Sequence, residues 1–217
     1  MMRVIEFCGT PGCGKTTLCD QLLDELRAKG FTANNYNELK GSISKGFFHY
    51  LFKKGFFGSF MRLMTVMGAP NRDRIIYGMK IAVVRCQIDE WSKNGKTDYL
   101  LFDEGILQYI TTLSHGKPIA KLDKLPAVLK PIYESNSTYV IDSRVDINTN
   151  IERLKKRANQ GDRYLTGTSE EQKAKLELKA KNIQAVIAYF APSKLLQIDT
   201  ASSDALSEIR GFVLKDQ

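Results

Sequence analysis

The stretch Gly9-Thr10-Pro11-Gly12-Cys13-Gly14-Lys15-Thr16 decides how this chain folds. It matches the pattern G-x-x-x-x-G-K-[ST], in which a glycine-rich loop between a strand and a helix presents backbone N–H groups to a phosphate. Residues 3–8 before it suit a buried strand, and leucines at helical spacing follow it. Because strand, loop and helix are the context that the motif requires, we predict that this loop binds a nucleotide.

Each residue type in the loop has a chemical reason. Glycines let the backbone leave the strand sharply and approach a phosphate closely. Lys15 supplies a positive charge for the outer phosphates, and the Thr16 hydroxyl is placed to ligate Mg²⁺. The predicted nucleotide-binding residues are Gly9, Thr10, Pro11, Gly12, Cys13, Gly14, Lys15, Thr16 and Thr17.

Length and composition favour one cytoplasmic domain. The 217 residues are enough for a single core with insertions, and no apolar run is long enough to span a bilayer. The N-terminal Met1-Met2-Arg3 leads directly into the first predicted strand, which leaves no room for a signal peptide. The four cysteines lack zinc-ligand spacing, so we expect reduced thiols in a reducing compartment.

The net charge of +8 is concentrated in one segment. Residues 40–96 contain eleven basic and three acidic side chains, a difference equal to the whole net charge. Such a field suits an anionic ligand, although a solvated basic face is an equally common explanation. Aromatic residues and lysines alternate in 42–68, which also fits nucleic-acid stacking or a membrane-surface helix. Their helical spacing favours core and lid packing, so we predict neither a nucleic-acid nor a membrane partner.

Strands and helices alternate along the chain. Strands are predicted within 3–8, 31–36, 97–103, 137–142 and 194–199, and helices include 72–94 and 205–214. This alternation predicts an α/β fold in three layers: a doubly wound parallel sheet of about five strands with helices on both faces. The phosphate-binding loop belongs at the centre of that sheet.

Three acidic residues follow predicted strands. Asp103 ends a nearly continuous apolar strand, where a carboxylate would face the phosphate-binding loop, and we predict it as the second metal-site residue beside Thr16. Glu104 follows it and either positions a nucleophile or opens the next helix. Glu38 comes after the second strand, where it addresses a substrate or is an exposed loop residue.

Three arginines predict a lid over residues 153–168. Asp146 caps a helix on which Arg153 and Arg157 share one face, and Arg163 lies on the following glycine-containing loop. A new helix is predicted at Ser169-Glu170-Glu171-Gln172, which has a capping-box pattern. Isolated arginines would indicate a solvated helix end, but three around one loop favour a phosphate-closing lid.

These features together resemble the nucleoside monophosphate kinase-like branch of the P-loop kinases, and thymidylate kinase in particular. The resemblance follows the order of elements over nearly the full length, but only the phosphate-binding loop and the Asp162-Arg163-Tyr164 lid are close in sequence. Thymidylate kinases usually have an aspartate at Pro11, an arginine at Glu104 and Arg-Glu-Pro at 37–39. The loop's Gly-Thr-Pro-Gly form is instead similar to adenylate-kinase relatives.

The resemblance implies transfer of the ATP γ-phosphoryl group to a small anionic acceptor, first a nucleoside monophosphate. Lys15, Mg²⁺ and the lid arginines Arg153, Arg157 and Arg163 would neutralise the developing charge. A deoxynucleoside or other hydroxyl acceptor would instead need Glu38 or Glu104 as base. A P-loop ATPase or switch that acts on a protein partner is a third alternative.

The resemblance also places the acceptor-binding region in the helical insertion 40–96 of a single domain, 1–217. Arg72 and Arg74 open a helix after Pro70-Asn71, so we predict that they contact the anionic acceptor. The identity of the acceptor stays open, and so does the choice between a monomer and a homodimer.

Overall fold

A computed structural model of the protein describes residues 2–40, 56–67, 72–112, 124, 138–157, 164–190 and 192–215. The described strands and helices alternate as the sequence predicts. In chain order they are β1 (Arg3–Gly9), α1 (Lys15–Ala28), β2 (Ala33–Asn35), α2 (Tyr36–Lys40), α3 (Phe56–Met67), α4 (Arg72–Asn94), β3 (Tyr99–Phe102), α5 (Ile106–Thr112), β4 (Thr138–Arg144), α6 (Ile147–Lys156), α7 (Ser169–Phe190), β5 (Leu195–Asp199) and α8 (Ala205–Leu214).

The five strands form one parallel sheet in the order β2-β3-β1-β4-β5. This confirms the predicted fold class, and β1 with its following loop lies at the centre of the sheet. The carboxyl ends of β3 and β4 therefore flank the loop, because all strands point the same way. Ligands of open α/β sheets bind at this edge.

Two apolar cores cover the two faces of the sheet. Alternate residues of β1 divide between them, as the two-residue period of a strand requires. Val4 and Cys8 pack with residues of α4, α5 and α7, whereas Ile5 and Phe7 pack with residues of α1 and α8. This two-sided burial explains why the central strands read as nearly continuous apolar runs.

Most predicted helix boundaries agree with the structure. Helices α4 and α8 have the predicted bounds, and the Asp146 carboxylate accepts hydrogen bonds from the backbone of Asn148 and Thr149 at the start of α6. The capping box of α7 was predicted one residue too late. It is formed by Thr168 and Glu171, each of whose side chains accepts from the backbone N–H of the other.

Several predicted features lie outside the described residues. They are residues 42–55 and 68 of the aromatic segment 42–68, the Asn71 cap, most of 113–137 and the lid loop Gly161 to Arg163. Between β2 and β3, helices α3 and α4 pack against each other. No helix in the described ranges is long and apolar enough to cross a bilayer.

Candidate active site at the carboxyl edge of the sheet

The phosphate-binding loop connects β1 to α1 in the geometry that its motif predicts. Gly12 and Gly14 have φ values of 81° and 99°, in the left-handed region that side chains rarely adopt. A Cβ at Gly12 would also lie 2.9 Å from the Leu154 Cγ of α6. Both glycines are therefore needed for the backbone path, and not only for access of a ligand.

Lys15 is turned back into the loop. Its Nζ donates to the carbonyl oxygens of Gly9 and Thr10, at 3.0 and 2.9 Å, and lies 3.7 Å from the Cys13 sulfur. The Lys15 side chain is buried, and Cys13 is fully buried. The Lys15 ammonium thus donates to carbonyl oxygens of the loop. The sequence predicts that the same ammonium binds phosphate oxygens.

Helix α6 holds the loop from outside. Within one helical turn, the amide of Asn150 donates to the Thr10 hydroxyl, the Arg153 guanidinium donates to the Cys13 carbonyl at 3.2 Å, and Leu154 lies against Gly12. Asn150 is fully buried, and its carbonyl oxygen has no partner among the described atoms. The phosphate-binding loop and the helix that leads into the lid segment therefore form one packed unit.

A cavity of about 500 Å³ opens beside the N-terminus of α1. Loop glycines, Arg153, Arg157 and the segment after β5 line it. The Thr200 hydroxyl of that segment donates to the Cys13 carbonyl and also accepts from Arg153 at 3.4 Å. Both apolar and polar side chains line the cavity, as in pockets that hold the base and sugar of a nucleotide. They include Thr17, Leu18, Gln21, Ser202, Ser203 and Leu206.

The two predicted metal-site residues are in contact. The Thr16 hydroxyl donates to the Asp103 carboxylate at 3.3 Å, and Asn37 donates to the other Asp103 oxygen at 2.8 Å. Among the described residues, no group of three or more His, Cys, Asp or Glu side chains is arranged so that it could hold a metal ion. Mg²⁺ in nucleotide sites is usually held by one or two protein groups together with phosphates and water. The hydroxyl and carboxylate oxygens of Thr16 and Asp103 fit that pattern.

Glu38 has a structural partner that the sequence analysis did not predict. Its carboxylate pairs with the Arg27 guanidinium at 2.8 Å and accepts from the backbone N–H of Asn35 at 3.3 Å. Arg27 also donates to the carbonyl of Ala33. Glu38 thus ties the end of α1 to the end of β2, and its carboxylate is not free in this structure.

Glu104 differs from Glu38 in its surroundings. Its side chain is exposed directly after Asp103, and it has no partner within the described ranges. The start of α5 is instead capped by Glu6, a buried residue of β1 whose carboxylate accepts from the Leu107 N–H at 2.7 Å. A side chain at Gly105 would overlap the Glu6 carboxylate. The predicted role of Glu104 in opening the helix is therefore taken by Glu6.

The remaining predicted site residues are described only in part. Arg157 is exposed at the end of α6 and lines the 500 Å³ cavity, whereas Arg163 lies outside the described residues. Arg72 is exposed at the first position of α4, and the side chain of Arg74 is not described. Contacts of Arg72 and Arg74 with an anionic acceptor stay predictions.

No protein-family model matches the sequence, and neither does any curated protein. Among solved structures, the chain is similar to deoxyadenosine kinase from M. mycoides with bound dATP. That pair has 17% identity and a TM-score of 0.48 over 98% of this chain and 99% of the other. The same enzyme with the products dCMP and a flexible dCDP bound gives 16% identity and a TM-score of 0.46 over 98% and 97% of the two chains. Because both scores are low, the fold assignment rests on the strand order and pairing given above.

The sequence analysis missed several residues that shape this edge of the sheet. Asn37, Asn150 and Thr200 all contact residues of the phosphate-binding loop or Asp103, although none belongs to a motif. A weak signal existed for Asn150, which shares a helix face with Arg153 and Leu154 at the spacing i, i+3, i+4. The contacts of Asn37 and Thr200 depend on how strands align and leave no pattern in the chain.

Proposed function

We propose that this protein is an ATP-dependent phosphotransferase that moves the γ-phosphoryl group of MgATP to a small anionic acceptor, first a nucleoside monophosphate. The observation that carries the proposal is the contact between Thr16, at the start of α1, and Asp103, at the end of the neighbouring strand. A phosphate-binding loop beside a hydroxyl and a carboxylate is the arrangement that positions MgATP in P-loop enzymes.

The described residues have distinct tasks in this proposal. The backbone N–H groups of 12–16 cradle the phosphates, and the Lys15 ammonium exchanges its carbonyl partners for phosphate oxygens. Bound Mg²⁺ supplies positive charge that neutralises the phosphates and fixes their orientation. Arg153 contacts the loop, and Arg153 and Arg157 both line the cavity proposed for the nucleoside, so they would reach charge that develops during transfer. Arg163 completes this set as a lid residue.

A second candidate is transfer to a hydroxyl of a deoxynucleoside or another small molecule. The exposed Glu104 carboxylate favours it, because such a reaction needs a base that accepts the hydroxyl proton. Of the two bases that the sequence predicts, Glu104 is the better candidate, since Glu38 is engaged by Arg27. An acceptor that already carries a phosphate needs no such base.

Ligand-induced shifts of the melting temperature test nucleotide binding. A non-hydrolysable ATP analogue with Mg²⁺, at about 100 times its Kd, should raise the melting temperature by roughly 5 to 10 °C. Lys15→Met should remove most of the shift. Lys29→Met, at the exposed opposite end of α1, is the matched control and should keep it. Absence of a shift in the unmodified protein would contradict the proposal.

Acceptors added to the protein with the ATP analogue then distinguish the candidates. Nucleoside monophosphates, nucleosides and phosphorylated sugars are screened first by melting temperature and then for phosphoryl transfer from ATP. Glu104→Gln should cost less than about tenfold in kcat if the acceptor is a phosphate, and about 10² or more if it is a hydroxyl. ATP hydrolysis that responds only to a macromolecule would favour the ATPase or switch.

A further inference from the structure

Asn37 lies directly beside Asp103, and the strand register explains why. Strands β2 and β3 pair in parallel up to Asn35 and Leu101. Two residues beyond each member of that pair are Asn37 and Asp103. The Asn37 Nδ2 donates to one Asp103 carboxylate oxygen at 2.8 Å, while the Thr16 hydroxyl donates to the other at 3.3 Å. A carboxylate only accepts hydrogen bonds, so the amide must present its nitrogen.

The backbone of Asn37 is itself held in place. Its N–H donates to the Oδ1 of Asn35 at 2.9 Å, and Asn35 is a buried residue at the end of β2. The Nδ2 of Asn35 lies 3.8 Å from the Cys19 sulfur of α1, the same helix that carries Thr16. The side chain of Asn37 therefore reaches Asp103 from a fixed support between the sheet and α1.

The chemistry of this contact suits a carboxylate that must keep its charge. Hydroxyl and amide donors orient the Asp103 oxygens without supplying a positive charge, whereas a lysine or arginine at position 37 would compete with a metal ion. Groups that orient metal-binding carboxylates in this way typically change metal affinity by about 10- to 100-fold when they are removed.

We infer that Asn37 is a positioning residue for Mg²⁺: it fixes the Asp103 carboxylate in the orientation that receives MgATP. This inference rests on the proposed function. It assigns a role to a residue that the sequence analysis gave none, and it predicts that the Mg²⁺ requirement depends on an amide donor from the end of β2.

The test compares Asn37→Ala and Asn37→Leu with Asn34→Ala. Asn34 is the matched control, since its amide donates to the Thr97 hydroxyl at 3.2 Å and not to Asp103. Each protein is titrated with MgCl₂ at fixed ATP, and the melting temperature is recorded. A parallel series with ATP and EDTA measures binding without metal. Initial rates of phosphoryl transfer give kcat and KM at each Mg²⁺ concentration.

We expect the Mg²⁺ concentration at half-maximal shift to rise about tenfold in Asn37→Ala. It should rise by a similar factor in Asn37→Leu, because leucine keeps the approximate size of the side chain but has no donor for Asp103. Binding of ATP in EDTA should stay within about twofold, and Asn34→Ala should match the unmodified protein. High Mg²⁺ should restore kcat in Asn37→Ala.

Other outcomes overturn the inference. If Asn37→Leu keeps the Mg²⁺ titration of the unmodified protein, the residue acts through its size and backbone support and not as an amide donor. A loss that is equal with Mg²⁺ and with EDTA shows a general structural role. If the unmodified protein shows no shift with ATP under either condition, the proposed function fails as well. If the unmodified protein shows the shift and the Mg²⁺ titration of Asn37→Ala is normal, only the inference about Asn37 fails.

Discussion

Two aspartates flank β1 at the carboxyl edge of the sheet, and their partners differ. Asp103 follows β3 on one side and receives hydrogen bonds from Thr16 and Asn37, both neutral. Asp142 lies in β4 on the other side, opposite Cys8, and one of its oxygens is bound by two nitrogens of Arg144 at 2.6 and 2.8 Å. Asp103 thus has two neutral partners, whereas Asp142 already has a cationic one.

The pKa values of neighbouring groups reflect this difference. Burial raises the pKa of Asp20 and of Cys19, and the negative charge of Asp103 raises both further. Burial also raises the pKa of Asp142, but the hydrogen bond and positive charge of Arg144 oppose that effect. The β4 side is therefore a completed ion pair, whereas Asp103 on the β3 side has no cationic partner among the described residues.

The largest expected effect separates the two aspartates by function. Asp103→Asn should lower phosphoryl transfer by about 10³ or more, as loss of a group that organises metal and phosphates typically does. Asp142→Asn should lower it by less than about tenfold, because Arg144 already neutralises that carboxylate. Steady-state rates of the purified variants, with circular dichroism to check folding, measure both. Equal losses would show that the two aspartates share one role.

The sequence was sufficient to predict the parts of this edge that follow from local patterns. The loop motif gave Lys15 and Thr16, and an apolar run ending in an acid gave Asp103. Alternating strands and helices gave the parallel sheet. The loop motif, the apolar run and the periodicity of each strand or helix depend on spacing within about ten residues. Such spacing can be read directly from the sequence.

Other features could not be predicted because they depend on strand alignment and side-chain pairing. Asn37 meets Asp103 only because β2 pairs with β3 in one register. The pairing of Glu38 with Arg27 joins residues 11 positions apart across a strand, so the sequence alone left Glu38 as a candidate base. Glu6 was not assigned a role, since its function as the cap of α5 requires β1 and β3 to be adjacent.

The second prediction concerns a variant that lacks Arg144, the cation on the β4 side. Arg144→Met should destabilise the protein by about 1 to 3 kcal/mol at neutral pH, below the 3 to 5 kcal/mol typical of a fully buried pair, because Arg144 is partly exposed. Without Arg144, the folded-state pKa of Asp142 rises further above its unfolded value. The folded state then binds the proton more tightly, so stability is highest at acidic pH and falls as pH rises between those two pKa values.

Urea denaturation of Arg144→Met and the unmodified protein at pH 5 and pH 8 measures this dependence. The difference in free energy of unfolding should be smaller at pH 5. Adding Asp142→Asn to Arg144→Met should recover part of the loss, since no buried charge then lacks a partner. A difference that is independent of pH would indicate that Arg144 contributes through packing alone.

The smallest expected effect concerns Tyr109 in α5, on the β3 side. Burial, followed by the charges of Glu104, Glu6 and Asp103, raises the pKa of Tyr109 to about 12. The unfolded chain loses this proton near pH 10, so between about pH 10 and 12 the unfolded state binds fewer protons and stability falls as pH rises. The loss should reach about 1 kcal/mol by pH 11.

Urea denaturation at pH 9 and pH 11 measures this decline in the free energy of unfolding. Tyr109→Phe should reduce the decline, whereas Tyr189→Phe, which changes an exposed tyrosine of α7, should not. An equal decline in Tyr109→Phe and in the unmodified protein would contradict the raised pKa of Tyr109.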